Sequence, residues 1–240
     1  MGDPLGYVGV IPARGGSKGI PRKNLQELAG VPLVQHTIAA ALGSARLDRV
    51  VLSSDDDETI ELARSLGCDA PFVRPPELSD DASPLIAAVL HAVDWLAAEE
   101  GLDVTAVVAL QPTSPFRDSA DIDGAIAAFE SSDRPSLMSV VPALQHPADC
   151  VRRDGEFVAP AVAWPSGATS RQDLPDYLYV DGAIYVARVD HLRAAGTFRD
   201  DRTAVFPIEP SHGMDIDDPY ELELARAWAA YAGAANKRTT

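Results

Sequence analysis

Cysteine is scarce in this sequence: only Cys68 and Cys150 occur among 240 residues. The two lie far apart, and neither has a second cysteine nearby. Disulfide frameworks and structural zinc sites need several such residues at short spacing. The sequence therefore argues against both, and we interpret Cys68, which follows a predicted helix, as a structural residue.

Long apolar runs are also absent. No stretch of eighteen apolar residues occurs, and residues 1–6 lack the charged-then-apolar pattern of a signal peptide. We therefore expect a soluble, non-exported protein of the cytoplasm that does not contact a membrane.

Basic residues are few, with 20 Lys and Arg against 36 Asp and Glu, for a net charge of −16. A surface of this charge repels the phosphates of nucleic acid over most of its area. Nucleic acid is therefore not an expected partner.

Positive charge is nevertheless concentrated in residues 11–24, which read Ile-Pro-Ala-Arg-Gly-Gly-Ser-Lys-Gly-Ile-Pro-Arg-Lys-Asn. The segment follows an apolar run, residues 7–11, that is typical of a buried strand. Its glycines let backbone N–H groups approach an anion. It lacks the Gly-Lys-Ser/Thr ending of a P-loop and the G-x-G-x-x-G spacing of a dinucleotide fold. The sequence predicts a phosphate-binding loop of another type, whose cations are Arg14, Lys18, Arg22 and Lys23.

Short β-rich runs alternate with helical stretches along the first 140 residues. The predicted strands cover residues 7–11, 49–53, 71–74, 104–110 and 136–141. The predicted helices cover residues 31–41 and 59–66, a stretch that Ser83 caps and Pro84 begins, and a stretch from Ser119. This alternation predicts an α/β fold with a mostly parallel sheet, helices on both faces, and ligands beyond the carboxyl ends of the strands.

The alternation stops between residues 143 and 181, where Pro, Gly, Trp and Arg are scattered without a period. An irregular segment of this length tends to be functional, so we interpret it as a lid or a dimerisation arm within one domain, residues 1–240. Strands are then predicted at 183–186 and 204–207. A short helix from Asp190, a last helix from about Pro219 to Ala230 and a frayed tail at 236–240 complete the prediction.

Two carboxylates stand two positions apart near the C-terminus, in Met-Asp-Ile-Asp-Asp-Pro. In extended backbone the side chains of Asp215 and Asp217 point to the same side. Paired carboxylates suit Mg²⁺, which takes a few protein oxygens and completes its shell with water and phosphates. We interpret the next residue, Asp218, as a helix cap. For His212 a structural role is favoured over contact with a metal or phosphate.

Residues 13–24 resemble the N-terminal signature of the CMP-sugar synthetases, the cytidylyltransferases that activate N-acetylneuraminic acid and related nine-carbon acids. The pattern small-Arg-x-x-Ser-Lys-Gly-x-Pro-x-Lys-Asn is filled by Ala13, Arg14, Ser17, Lys18, Gly19, Pro21, Lys23 and Asn24. Synthetases that activate KDO usually read Ser-Arg-Leu-Pro-Gly-Lys here, which favours the sialic-acid branch. The resemblance implies a Rossmann-like three-layer nucleotidyltransferase fold and a homodimer formed through the extension at 143–181.

The same resemblance implies roles for individual residues. The nucleotide CTP would contact Ala13, Arg14, Gly16, Ser17, Lys18, Asn24, Arg74 and Ser83. The acidic sugar would contact Gln111, Thr113, Ser114, Arg171 and Tyr185, from stretches that match the family's Leu-Gln-Pro-Thr-Ser-Pro, Arg-Gln-x-Leu-Pro and Asn-Gly-Ala-Ile-Tyr. Mg²⁺, or Mn²⁺ in its place, would be held by Asp215 and Asp217. The catalytic residues would be Arg14, Lys18 and Asp217.

The implied reaction transfers CMP from CTP to the anomeric hydroxyl of a sialic-acid-like 3-deoxy-2-ulosonic acid and releases pyrophosphate. The chain departs from the family at three positions near the sugar. Asp149 and Tyr179 stand where sialic-acid enzymes commonly present basic residues, and Asp181 replaces an asparagine. A KDO-like or unusual acid therefore stays open as the acceptor. A non-catalytic nucleotide-binding homologue and a nucleotide-free dimerisation module are the alternatives outside this reaction.

Overall fold

The structure is a computed structural model that describes residues 5–80, 82–164, 167 and 170–236. The end of the predicted frayed tail, residues 237–240, lies outside the described residues. The described strands are β1 (Leu5–Pro12), β2 (Glu27–Leu28), β3 (Val31–Pro32), β4 (Arg49–Ser53), β5 (Val104–Ala109), β6 (Ser136–Pro142), β7 (Val151–Asp154), β8 (Phe157–Pro160), β9 (Leu178–Arg188) and β10 (Ala204–Pro207). The described helices are α1 (Leu33–Leu42), α2 (Asp57–Ser65), α3 (Leu85–Glu100), α4 (Ser119–Glu130), α5 (Val189–Ala195) and α6 (Pro219–Asn236).

A six-stranded sheet in the order β10-β6-β9-β5-β1-β4 forms the centre of the fold. Strand β1 pairs in parallel with β4 and β5, and β10 pairs in parallel with β6. Strand β9 runs antiparallel between β5 and β6, so one of the six strands is reversed. The predicted mostly parallel α/β sheet is confirmed.

Both faces of the sheet are covered, which explains why its central strands are apolar throughout. Ala106 and Val108 of β5 belong to a core that α1, α2 and α4 cover. Val107 and Ala109 point to the other face, where they pack with residues of α3 and α5. The alternation of neighbouring side chains between the two cores gives the predicted three layers.

Two predicted elements differ in the structure. Residues 71–74 do not form a strand, because the pairing alongside β4 ends at the single bridge between Val51 and Asp69, and Pro71 has no N–H to extend it. Helix α3 begins at Leu85 after Pro84, and Ser83 does not cap it. The Ser83 hydroxyl instead donates to the Asp80 carboxylate, at 2.7 Å.

The irregular segment carries structure of its own. Strands β7 and β8 form a hairpin closed by Gly155, whose φ is +61°, and Glu156. The last four residues of the segment begin strand β9. The described helices include none with the length and apolar character needed to cross a membrane.

The two cysteines are predicted to differ in reactivity. Cys68 is buried, and burial raises the pKa of its thiol to about 12, whereas Cys150 is exposed. Because the thiolate is the reactive form, iodoacetamide at pH 8 should label one thiol per native chain and two after unfolding. Mass spectrometry of the labelled peptides checks this. Labelling of Cys68 as fast as Cys150 in the native protein would contradict the described packing.

Candidate active site

A cavity of about 410 Å³ lies at the carboxyl ends of β1, β4 and β5. Four separate segments of the chain line it: the loop after β1, the region from Arg74 to the start of α3, the loop after β5, and residues 215–217. Ten of the predicted site residues are among the lining residues, namely Arg14, Gly16, Ser17, Asn24, Arg74, Ser83, Gln111, Thr113, Asp215 and Asp217. The structure thus brings together residues that are up to 203 positions apart in the sequence.

The loop after β1 is held against the body of the protein by its backbone. The Gly15 N–H donates to the Asp55 carboxylate at 2.8 Å, and the Asn24 amide donates to the Arg14 carbonyl at 2.8 Å. A Cβ at Gly19 would collide with the carbonyl oxygen of Asp217. Glycine at position 19 therefore allows the basic loop to lie directly against the acidic segment.

The two predicted metal ligands flank a buried residue. Ile216 is fully buried, and its N–H donates to the Thr113 carbonyl at 2.9 Å. This bond anchors the segment, so that the carboxylates of Asp215 and Asp217 on either side both line the cavity. That these two carboxylates together hold a metal ion stays a prediction.

The electrostatics of this pair favour a cation. Burial and the charge of Asp217 raise the pKa of the Asp215 carboxyl, while the Thr113 hydroxyl and Lys23 act in the opposite direction. The Lys23 ammonium lies 3.0 Å from Asp217 Oδ1 and 2.9 Å from the Ile216 carbonyl. The Asp217 carboxylate and the Ile216 carbonyl thus contact one positive group, and Asp215 lines the same cavity. This is a set of hard oxygen donors that fits Mg²⁺ or Mn²⁺.

Arg74, which the sequence predicts as a nucleotide contact, is hydrogen-bonded to Ser53 at the end of β4. Its guanidinium is buried, donates to the Ser53 hydroxyl at 3.0 Å, and also donates to the Ser53 carbonyl. Burial lowers the pKa of Arg74 to about 10. The side chain therefore ties the end of β4 to the cavity wall, and it remains among the lining residues.

The loop after β5 presents Gln111 and Thr113 to the cavity. The Gln111 amide donates to the Gly182 carbonyl at 3.1 Å. Gly182 has φ +77°, and a Cβ there would lie 3.2 Å from Gln111 Nε2 and 3.5 Å from Asp215 Oδ2. Glycine in the left-handed region therefore brings β9 close to both side chains.

Other predicted site residues are not among those that line this cavity. Ala13 and Ser114 are fully buried, and the Ser114 hydroxyl faces the Asp181 carbonyl at 3.5 Å. Lys18 is exposed on the loop, and Tyr185 packs against Phe198. For Arg171 the structure describes a short 3-10 turn, Arg171–Asp173, and its side chain lies outside the description.

The residues that depart from the family pattern do not meet at the cavity either. Asp149 and Tyr179 are exposed. Asp181 is fully buried behind the loop after β5, where it accepts hydrogen bonds from the Ser139 hydroxyl and the Ala183 N–H. Aspartate in place of asparagine at position 181 therefore changes a residue that supports the loop after β5 from behind and does not line the cavity. His212 pairs with Asp121 at 2.7 Å, which agrees with a structural role.

Sequence reasoning named Lys23 only as a cation of the phosphate-binding loop, and it left Arg117 out of the predicted site. Lys23 lines the cavity and pairs with Asp217; its place in the signature was the available signal. Arg117 is fully surrounded by protein, and its Nη1 donates to the carbonyls of Gln111, Ser114 and Ala183, each at 3.0 Å. It holds the loop after β5 in shape. A charged residue after a Pro-rich turn gives no sequence signal for such burial.

Comparison with known proteins identifies the family and relatives of this chain. A family model described as "Cytidylyltransferase" matches residues 8–201. The chain is 34% identical over 226 residues to a CMP-N,N'-diacetyllegionaminic acid synthase of Legionella pneumophila, covering 90% of this chain and 92% of the relative. It is 29% identical over 219 residues to an N-acylneuraminate cytidylyltransferase of Escherichia coli, covering 91% of this chain and 51% of the relative.

Two further matches add an acceptor class and a fold. A pseudaminic acid cytidylyltransferase of Campylobacter jejuni is 47% identical over 107 residues, 45% of this chain and 46% of the relative. A CMP:2-keto-3-deoxy-manno-octonic acid synthetase solved with CTP superposes with a TM-score of 0.69 at 19% identity, covering 94% of this chain and 99% of that one. That likeness shows the shared fold. The chain belongs to the cytidylyltransferase family, in the branch whose relatives make CMP-activated sialic, legionaminic and pseudaminic acids.

Proposed function

We propose that this protein transfers CMP from CTP to the anomeric hydroxyl of a nonulosonic acid and releases pyrophosphate. The observation that carries the proposal is the cavity itself: a basic glycine loop, an acidic pair and the loop after β5 line one space. The basic glycine loop would bind a triphosphate, and the acidic pair would bind a divalent cation. The loop after β5 would bind an acceptor beside both. The whole combination is what in-line transfer of a nucleotidyl group requires.

The chain's own residues would act by binding and positioning. Arg14 and Lys18 would neutralise the triphosphate, with backbone N–H groups of the loop after β1 contributing further donors. Gln111 and Thr113 would orient the acceptor so that its anomeric hydroxyl faces the α-phosphorus. The hydroxyl oxygen forms the new bond to phosphorus, pyrophosphate leaves, and the hydroxyl proton passes to solvent or a nearby base.

Asp215 and Asp217 would hold Mg²⁺, or Mn²⁺ in its place. The Asp217 carboxylate already contacts the Lys23 ammonium, and burial together with the charge of Asp217 raises the pKa of Asp215, so a divalent cation would relieve the repulsion between the two carboxylates. When bound, such a cation supplies charge neutralisation at the phosphates and lowers the pKa of a coordinated hydroxyl.

For the acceptor we propose a di-N-acetylated nonulosonic acid of the legionaminic or pseudaminic type. The support is the identity of 34% to a legionaminic acid synthase and of 47% over 107 residues to a pseudaminic acid enzyme. Pyrophosphate release with CTP and a panel of legionaminic, pseudaminic, N-acetylneuraminic acids and KDO tests this. We expect the largest kcat/KM for one of the first two acids. The highest value with KDO would contradict the acceptor, and no release with any acid would contradict the function.

We also propose that the protein is a homodimer in the cytoplasm. The segment at 143–181 exposes large apolar side chains to solvent in the single chain, namely Leu144, Val151, Phe157, Val158, Trp164 and Tyr179. Exposed apolar side chains concentrated in one segment favour a protein interface there. Both cysteines are free thiols, as a reducing compartment keeps them.

Replacing Phe157 and Val158 by serine is expected to turn the dimer into a monomer. These side chains are 78% and 68% exposed on β8, so their removal costs little stability within one chain. Light scattering coupled to size-exclusion chromatography measures the mass, expected to fall from about twice the 25.5 kDa chain to one chain. A wild-type protein that is monomeric at 50 µM would contradict the proposal.

A further inference from the structure

A second cavity, of about 640 Å³, lies outside the candidate active site. It is bounded by the loop before β6, the end of β9, helix α5 and the segment before β10. We call it the arginine cavity. Its lining residues include Arg134, Arg188, His191 and Arg202.

The arginine cavity lies at the opposite end of the strands from the active site, beside the start of β6 and the end of β9. Strand β9 connects the two, because Gly182 contacts Gln111 at one end and Arg188 lies six residues later at the other. At about 3.3 Å per residue, the two ends are ~20 Å apart. A ligand in the arginine cavity therefore does not reach the groups assigned to CTP.

Neighbouring aspartates neutralise the arginines of this cavity only in part. Arg188 Nε lies 3.5 Å from the Asp190 carboxylate, and Arg202 Nη2 lies 3.2 Å from the Asp200 carboxylate. The charge of each of these two arginines is therefore partly neutralised. The Arg134 guanidinium forms no ion pair within the described part of the chain. Asp133 and Asp190 also line the cavity and reduce the positive potential there. Three guanidinium groups around one space are nonetheless notable in a chain of net charge −16.

A buried histidine in the wall has an unused ring nitrogen. The His191 side chain is 5% exposed, and its Nε2 lies 3.6 Å from the Asp200 carboxylate, beyond hydrogen-bond distance. Among the described residues Nε2 has no hydrogen-bond partner. Buried polar atoms without hydrogen-bond partners are rare in folded proteins, and a bound water or ion is one explanation for them.

We propose that the arginine cavity is a second ligand site, which binds a small metabolite through its phosphate or carboxylate oxygens. Guanidinium groups present forked N–H donors that match either oxyanion. The volume is within the range of small-molecule sites. Arg134 and Arg202 would contact the oxyanion, and His191 would position Arg202, whose Nη2 lies 3.4 Å from His191 Nδ1. The shared ligand chemistry is a multiply charged oxyanion.

Calorimetric titration of the full chain with inorganic phosphate, and in a second arm with citrate, tests the proposal. The test variant is Arg134→Ser with Arg202→Ser, both exposed positions at which serine leaves the fold intact. The matched control is Arg152→Ser with Arg153→Ser, which removes the same charge from the exposed strand β7. All chains are first shown to share one melting temperature.

Loss of the two cavity arginines is expected to raise the dissociation constant of the better-bound anion by about tenfold or more. Each arginine would form at least one ion pair with the bound anion, and the variant lacks both. The control pair and Lys18→Ala, which weakens the loop after β1, should bind that anion at the cavity within about twofold of wild type. Tighter binding of phosphate or of citrate identifies which oxyanion the natural ligand carries. Equal binding by the test variant and the wild type would overturn the proposal, as would the absence of binding by wild type at 10 mM of either anion.

Discussion

Replacing Asp217 by alanine is expected to lower kcat by about a hundredfold or more, a loss of at least ~2.7 kcal/mol of transition-state stabilisation. The side chain is 73% exposed and is bound through Lys23, so its removal leaves the core intact. What the variant loses is half of the carboxylate pair that would hold the cation beside the triphosphate. Pyrophosphate release measured over a range of Mg²⁺ concentrations checks this, with the deficit expected to shrink as Mg²⁺ rises.

The matched control for this variant is Asp218→Ala. Asp218 is the next carboxylate in the chain, but its Oδ1 accepts from the Glu221 N–H at 2.9 Å and caps α6. Its replacement should cost about 1 kcal/mol of stability and leave kcat within about twofold of wild type. Lys18→Ala should show a loss in kcat comparable to that of Asp217→Ala. Near-normal kinetics in both Asp217→Ala and Lys18→Ala would rule out the assigned chemistry.

Replacing Arg117 by methionine is expected to destabilise the protein by about 3–5 kcal/mol, because three carbonyls and the Thr37 hydroxyl lose one buried donor group. At roughly 2–4 °C per kcal/mol for a chain of this size, the melting temperature should fall by about 10 °C. Differential scanning calorimetry measures the shift. The activity that survives should show a raised KM for the acceptor, since the loop that carries Gln111 loses its tether.

The control for the Arg117 variant is Arg46→Met. Arg46 pairs with Glu130 at 2.7 Å on the surface, where an ion pair contributes at most about 1 kcal/mol. Its replacement should move the melting temperature by no more than a few degrees. If Arg117→Met melted within two degrees of wild type, the buried network would not hold the loop as described.

The sheet could be predicted because its strands are buried on both faces. β4 was predicted with its observed bounds, and β1, β5 and β6 within two residues at either end, since each is a continuous apolar run between turn residues. Residues 71–74 carry similar apolar character but lie beside the edge strand β4. Pattern alone does not show whether a run finds a partner strand, so this prediction was wrong.

The hairpin at 151–160 was missed for a different reason. Its strands have four residues each and are mostly exposed, so no alternation of buried and exposed side chains reveals them. The dipeptide Asp154-Gly155 was the available signal, because aspartate followed by glycine is common in two-residue hairpin turns. The apolar side chains of these strands, Val151, Phe157 and Val158, are exposed to solvent.

The candidate site was predictable where residues act in order along a loop. Arg14, Ser17 and Asn24 follow one another in the segment after β1, and all three line the cavity. The burial of individual loop residues was not predictable. Ser114 belongs to the same motif as Gln111 but is fully buried, and Arg117 donates a hydrogen bond to its carbonyl. The pairing of Lys23 with Asp217, 194 positions apart, depends on tertiary contact alone.

This cavity is expected to join a cytidine nucleotide to an acidic nine-carbon sugar. Mass spectrometry of a reaction with CTP, Mg²⁺ and legionaminic or pseudaminic acid derivatives tests it most directly, with the Asp217→Ala chain as the blank. We expect a new species with the mass of CMP plus the acid less water, formed in equal amount with pyrophosphate. Consumption of CTP without that product, or equal product from the Asp217→Ala chain, would contradict it.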